Sequence, residues 1–264
     1  MAPTSDRLPA PVRERLSHWL AAFDRSAPSV IEGLYVVGSV ALDDWRPGSD
    51  IDVVAVLAEP ADDETGERLR RAHDRDREAA GGAPPVDGPF VAWADLSIPP
   101  GPLHRPRTRG GELRHDAECS ELNPVVWYVL ATSGVAVRGP DVADLDVYVD
   151  RHDRMSWVRD NVVGSWRIVL DELRREVERL GADGRLPGAT AEWCLLGACR
   201  MLVTAATGDV ESKRGAGLRV AAELPEHAPA INLCLALRGT ESAISADDAR
   251  AVVDAMAAVL DTIA

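Results

Sequence analysis

Two carboxylates one residue apart, Asp50 and Asp52, open an apolar run that continues as Val53-Val-Ala-Val-Leu57. Side chains on a strand alternate faces, so residues i and i+2 project from the same side and these two acids stand close enough to share a cation. Oxygen ligands on a stiff backbone suit Mg²⁺, which takes one or two carboxylates and fills its remaining positions with substrate phosphates. The ion therefore implies a nucleotide, and the phosphates need donors. Gly38-Ser39, directly after the apolar run Leu34-Tyr-Val-Val37, supplies them: glycine lets the backbone approach an anion without a Cβ clash, and serine adds N–H and O–H donors at the start of a short helix.

These groups need elements to hold them. The pattern over residues 34–57 predicts strand, tight turn, short helix, loop and strand. Ahead of it, residues 9–25 place Val12, Leu16, Leu20 and Phe23 on one helical stripe, an amphipathic helix for packing on a sheet. Residues 60–82 are dense in charge with few apolar positions, which predicts an exposed helix carried by intrahelical pairs and stopped by Gly81-Gly82-Ala-Pro84-Pro85. A third strand is expected over residues 86–96, and with it a third acid. A carboxylate beside the metal pair can serve as a base, and both Asp87 and Asp95 qualify. Residues 97–111, rich in proline and glycine, read as loop. A helix starting at Pro124 and ending near Gly134 precedes a short strand that stops at Gly139-Pro140.

From there helical spacing dominates. Residues 153–180 carry Trp157, Val158, Val162, Trp166, Val169, Leu170, Leu173, Val177 and Leu180, as one long helix or two with a break at Gly164. After a loop at 181–188, a helix through Thr207, the segment 211–225 and helices around 229–238 and 246–263 complete an all-helical bundle. Two domains follow, residues 1–150 and 151–264, in an α+β chain.

The motif Gly38-Ser39-Val-Ala-Leu, then Pro47-Gly-Ser49-Asp50-Ile-Asp52, resembles the polymerase-β-like nucleotidyltransferases, and within them the aminoglycoside adenylyltransferases that modify streptomycin and spectinomycin. Glu192-Trp193 through Arg200, Thr207-Gly208-Asp-Val-Glu-Ser-Lys213 and Leu224-Pro225 are similar to that family's C-terminal domain. The resemblance implies a mixed-sheet nucleotidyltransferase domain followed by a helical one. It also implies ATP as co-substrate with Mg²⁺ on Asp50 and Asp52, and phosphate or nucleotide contacts from Gly38, Ser39, Ser49, Arg200 and Lys213. Asp87 takes the place of the family's catalytic Glu. Lys213 is the sole lysine of the chain. The family's streptomycin-contacting aromatic is replaced near Glu118, and its acids ahead of the second-domain helix by Leu186 and Thr190, which points away from streptomycin and leaves spectinomycin, another aminocyclitol or an unrelated hydroxyl compound as the acceptor. Glu112 is a candidate contact for a cationic amine. A chain of this fold that binds nucleotide for regulation, without transfer, is the alternative.

Composition narrows the partners. A formal charge of −14 over 264 residues, with a pI near 4.9, argues against a nucleic-acid surface, which needs clustered Lys and Arg, and fits a cationic small molecule. Four cysteines, Cys119, Cys194, Cys199 and Cys234, have neither metal-ligand spacing nor the density of a disulfide scaffold. There is no signal-like start and no long apolar run, so a cytoplasmic monomer without membrane attachment is expected.

Overall fold

The computed structural model describes residues 7–101, 103–115, 119–181 and 183–263. The chain divides after Val149 into two units. The first holds a six-stranded mixed sheet built from β1 (Gly33–Val36), β2 (Ile51–Leu57), β3 (Val86–Ala92), β4 (Arg107–Arg109), β5 (Glu112–Arg114) and β6 (Val135–Arg138). Their order is β5-β4-β3-β2-β1-β6. Only β2 and β3 run parallel; the other neighbours are antiparallel. A parallel pair needs a crossover, and an intervening helix supplies it.

Helix α1 (Ala10–Ser26) leads into β1, α2 (Gly38–Ala41) follows β1, α3 (Asp63–Ala80) is the crossover, and α4 (Trp93–Leu96) and α5 (Pro124–Ser133) complete the unit. Alternation along the strands turns Leu34, Val36, Ile51, Val53, Ala55, Leu57 and Phe90 into one core with Val12, Leu16, Trp19 and Phe23 of α1 and Leu69 and Ala72 of α3. Asp52 points to the opposite face. Trp19 is fully buried and stacks on Phe23 at 3.9 Å between ring centroids, while Leu20 of the expected stripe is only partly buried.

The charge-dense helix differs from its sequence-based expectation: α3 has a buried face of Gly66, Leu69, Ala72, His73 and Asp76. Two polar residues were hidden in that stripe. Asp76 is buried because Arg15 of α1 donates to it through Nη1 and Nη2 at 2.7 and 2.6 Å, and Arg15 Nε donates to the Pro84 carbonyl at 2.9 Å. The stop of α3 follows expectation, with Gly81 left-handed at φ +55, and at its start Asp62 accepts the Thr65 N–H. Strand β3 is shorter than expected and gives way to α4, and the proline-rich 97–111 stretch contains β4.

The second unit consists of α6 (Arg151–Asn161), α7 (Arg167–Glu178), α8 (Gly188–Thr207), α9 (Lys213–Glu223), α10 (Ala228–Leu237) and α11 (Ala246–Ile263). A π-helical turn, Val162–Trp166, joins α6 to α7 where a break at Gly164 was one expectation. Helix α8 is the axis, packed by α6, α9, α10 and α11. At its side Trp166 lies against Gly197, where a Cβ would sit 2.2 Å from the ring, and stacks on Trp193. The bundle is not purely helical: residues 181–188 include β7 (Arg185–Pro187), which pairs with β8 (Ala243–Ser245) and buries Leu186 against Ile244. All four cysteines are buried and free.

Breaking a buried ion pair from one side strands the other charge, at about 3–5 kcal/mol. Asp76→Ala is accordingly expected to destabilise the first unit by that amount in denaturant unfolding, while the apolar pair Arg15→Met with Asp76→Leu recovers most of it.

Candidate functional site

Strand β1 passes into α2 through Val37, whose N–H donates to the Asp52 carbonyl at 2.9 Å, so the start of the short helix is tied to the strand that carries the acids. Gly38 is left-handed at φ +61, and a Cβ there would lie 1.9 Å from Asp52 Oδ2. Both facts demand glycine. Next to it, Ser39 Oγ is buried with no hydrogen-bond partner among the described residues. A buried hydroxyl without a partner costs free energy unless a ligand satisfies it. Ser49 closes the turn over Pro47-Gly48 by donating its N–H to the Arg46 carbonyl at 3.0 Å, which aims the chain into β2.

Asp50 is exposed just before β2 and Asp52 is half-buried on it. The parallel register sets Asp52 beside Asp87 of β3, and the two sequence-derived metal candidates thereby meet the candidate base. Both Asp87 oxygens accept backbone N–H groups, from Gly110 at 2.6 Å and Gly111 at 3.0 Å, on the turn between β4 and β5. Burial pushes the Asp87 carboxyl above its usual range; the Gly111 and Gly110 amides work against that, the nearby Asp50 charge adds to it, and His73 opposes. His73 Nε2 donates to the Gly111 carbonyl at 3.0 Å, and its Nδ1 is buried without a partner.

The rival acid has another task. Asp95 lies on α4, not on β3; it accepts the Ala92 N–H at 2.8 Å and is bound by Arg105 through Nε and Nη2, both at 2.8 Å. Burial acts to raise its pKa, but the Arg105 hydrogen bonds, the Ala92 N–H and the Arg105 charge hold it below the usual carboxylate range. Glu112 is exposed at the hairpin turn and paired with Arg114 at 2.9 Å. Glu118 lies outside the described residues. Of the two replaced acids, Leu186 is core and Thr190 is partly exposed on α8.

Among the described residues no three His, Cys, Asp or Glu side chains form a complete metal cage. The donor set nonetheless fits Mg²⁺, which needs few protein ligands when phosphates complete the shell. The pair Asp50 and Asp52, the glycine cradle and the unsatisfied Ser39 hydroxyl are what such an ion and its phosphates require.

In the helical unit Lys213 opens α9, after Ser212, whose side chain caps it. Lys213 Nζ donates to Glu192 Oε1 at 3.5 Å, and Arg238 Nη1 donates to the same oxygen at 3.1 Å. Arg200 on α8 donates through Nε to the Glu211 carbonyl at 3.1 Å. Burial lowers the Lys213 pKa, the Arg200 and Arg238 charges push the same way, and Glu192 opposes them. Arg200 and Lys213 are thus neighbours, joined by Arg238. Neither Arg238 nor His73 stands out in the sequence; His73 is recoverable from the 69, 72, 73, 76 spacing of α3, while for Arg238 no local signal exists.

Residues 20–104 match the family described as the nucleotidyltransferase domain, and residues 166–262 match the C-terminal domain of aminoglycoside adenylyltransferase. No protein of curated function matches the chain significantly. Among solved structures, the crystal structure of spectinomycin adenyltransferase AAD(9) from Enterococcus faecialis with ATP and spectinomycin is similar, with a TM-score of 0.68 at 16% identity, over 95% of this chain and 98% of that one. At that identity the likeness is one of fold.

Each amide bound by Asp87 is protected by it. In Asp87→Ala, hydrogen exchange at Gly110 and Gly111 is expected to accelerate about tenfold or more, the loss of one charge-assisted hydrogen bond each.

Proposed function

The chain belongs to the aminoglycoside adenylyltransferase-type nucleotidyltransferases, and from that premise we propose that it transfers AMP from ATP to a hydroxyl of spectinomycin or a related aminocyclitol, as an antibiotic-resistance enzyme. The observation that carries this reading is the convergence of Asp50, Asp52 and Asp87 beside a Gly38 that no side chain could replace. Mg²⁺ held by Asp50 and Asp52 would neutralise charge on the triphosphate.

The chain's own residues do the rest. Ser39 Oγ donates to a phosphate oxygen, which gives that buried hydroxyl the partner it lacks. Ser49 fixes the turn that presents Asp50. Lys213 and Arg200 bring positive charge to the polyphosphate. Asp87 accepts the proton of the acceptor hydroxyl as its oxygen attacks the α-phosphorus and the bond to the β-phosphate breaks, releasing pyrophosphate. Both Asp87 oxygens are engaged by amides, yet each retains a further lone pair, so the hydrogen bonds orient the base without consuming it. Its raised pKa makes it a better proton acceptor than an ordinary carboxylate. Acidic side chains such as Glu112 attract the cationic acceptor; the protein works as a cytoplasmic monomer on small molecules. Among the described residues no helix is long and apolar enough to cross a membrane.

With ATP, Mg²⁺ and a panel of aminoglycosides and aminocyclitols, pyrophosphate release is expected with spectinomycin and not with streptomycin, and the product gains the mass of AMP. Asp87→Asn lowers kcat by about 10²–10⁴, the usual share of a general base. Because the base must be ionised, wild-type activity falls as pH drops through the raised Asp87 pKa, and that acid limb disappears in Asp87→Asn. Unchanged pyrophosphate release in the double variant Asp50→Ala, Asp52→Ala overturns the reading.

A further inference from the structure

Three helices bring their charges to one oxygen. Glu192 comes from the first half of α8, Lys213 from the first turn of α9 and Arg238 from the residue after α10, and both cations donate to Glu192 Oε1. The cluster is shielded: the Arg238 side chain is 6% exposed, Glu192 16% and Lys213 26%. Two cations sharing a single oxygen repel one another, and removing them from water raises that cost. Such an arrangement favours an anion with more oxygens and more charge than one carboxylate, and a polyphosphate has both.

Resting on the nucleotide reading above, we propose that Arg238 is a further phosphate-binding cation beside Lys213 and Arg200, and that Glu192 is the carboxylate that holds Lys213 and Arg238 in place and yields them to phosphate. Arg238 is suited to it. Its guanidinium presents a planar fork of donors, always charged, that matches phosphate oxygens two at a time, whereas the lysine contributes a point charge. The lowered pKa of Lys213, with burial as its main cause and the Arg200 and Arg238 charges among the contributors, agrees with cations gathered together away from water. Arg200, whose charge also reaches Lys213, adds to the positive field. Glu192 is a positioning residue: with it in place the two side chains are ordered before the nucleotide arrives, at the expense of a competitor the phosphate must displace.

The test is calorimetry on the full-length chain with inorganic tripolyphosphate, ATP and adenosine as separate probes. Arg238→Ala is expected to weaken tripolyphosphate and ATP about tenfold or more, the loss of a charge-assisted contact, and to leave adenosine unaffected. Arg238→Lys, which retains charge, recovers part of it. Glu192→Gln, nearly isosteric and neutral, is expected to tighten tripolyphosphate, since the competitor is gone. A merely structural ion pair gives the opposite sign for Glu192→Gln, with weaker binding and a lower melting temperature, and that result overturns the proposal. So does tripolyphosphate affinity unchanged in both Arg238 variants. The two readings fail separately: adenylyl transfer with insensitive Arg238 and Glu192 variants defeats this inference alone, while charge-sensitive tripolyphosphate binding without transfer to any acceptor defeats the enzymatic reading alone.

Discussion

The site depends on one missing atom. Asp52 occupies the volume that a Cβ on Gly38 would need, so the turn after β1 and the acid on β2 are a single packed object. The Val37 N–H bonded to the Asp52 carbonyl fixes the same contact from the backbone side. Once these are set, the antiparallel pairing of β1 with β2 and the parallel pairing of β2 with β3 carry Asp87 into register, and the loop through Ser49 has little choice of path.

Around that contact the protein treats its carboxylates differently. Asp76 is neutralised by a buried arginine, Asp95 by Arg105 and a backbone amide, and Asp87 by two backbone amides, while Asp50 stands exposed. Environment alone thus separates acids that share one side-chain chemistry: the arginine-bound Asp95 is held down, and the buried, amide-bound Asp87 is driven up. The excess of acids that gives the chain its net charge of −14 is in this respect ordinary at the surface and specific at the sheet.

What could be read from the sequence is what is local. Gly38-Ser39, the Pro47-Gly48 turn and Asp50-Ile-Asp52 lie within one strand-turn-strand, and period-two alternation settles their faces without knowledge of the rest. Lys213 was singled out by the resemblance to the family's C-terminal domain and by being the sole lysine of the chain, not by a local pattern. The rest required distant partners. The buried side of α3 is invisible until Arg15 is known to meet Asp76; the three-residue strands β4, β5 and β7 are too short to show a period; Asp95 resembled a catalytic acid until Arg105 took both its oxygens. Arg238 is the extreme case, since Glu192, the carboxylate it shares with Lys213, lies on another helix far away in sequence.

The buried thiols have a practical consequence. Burial pushes Cys119, Cys199 and Cys234 up to about 12 and Cys194 to about 11, so at neutral pH almost none is thiolate, the form that reacts. Cys119 belongs to the sheet unit and the other three to the helical unit. A thiol-specific reagent therefore acts as a clock for core opening, and peptide mapping of the labelled cysteine reads the two halves of the molecule independently, with no probe engineered into either.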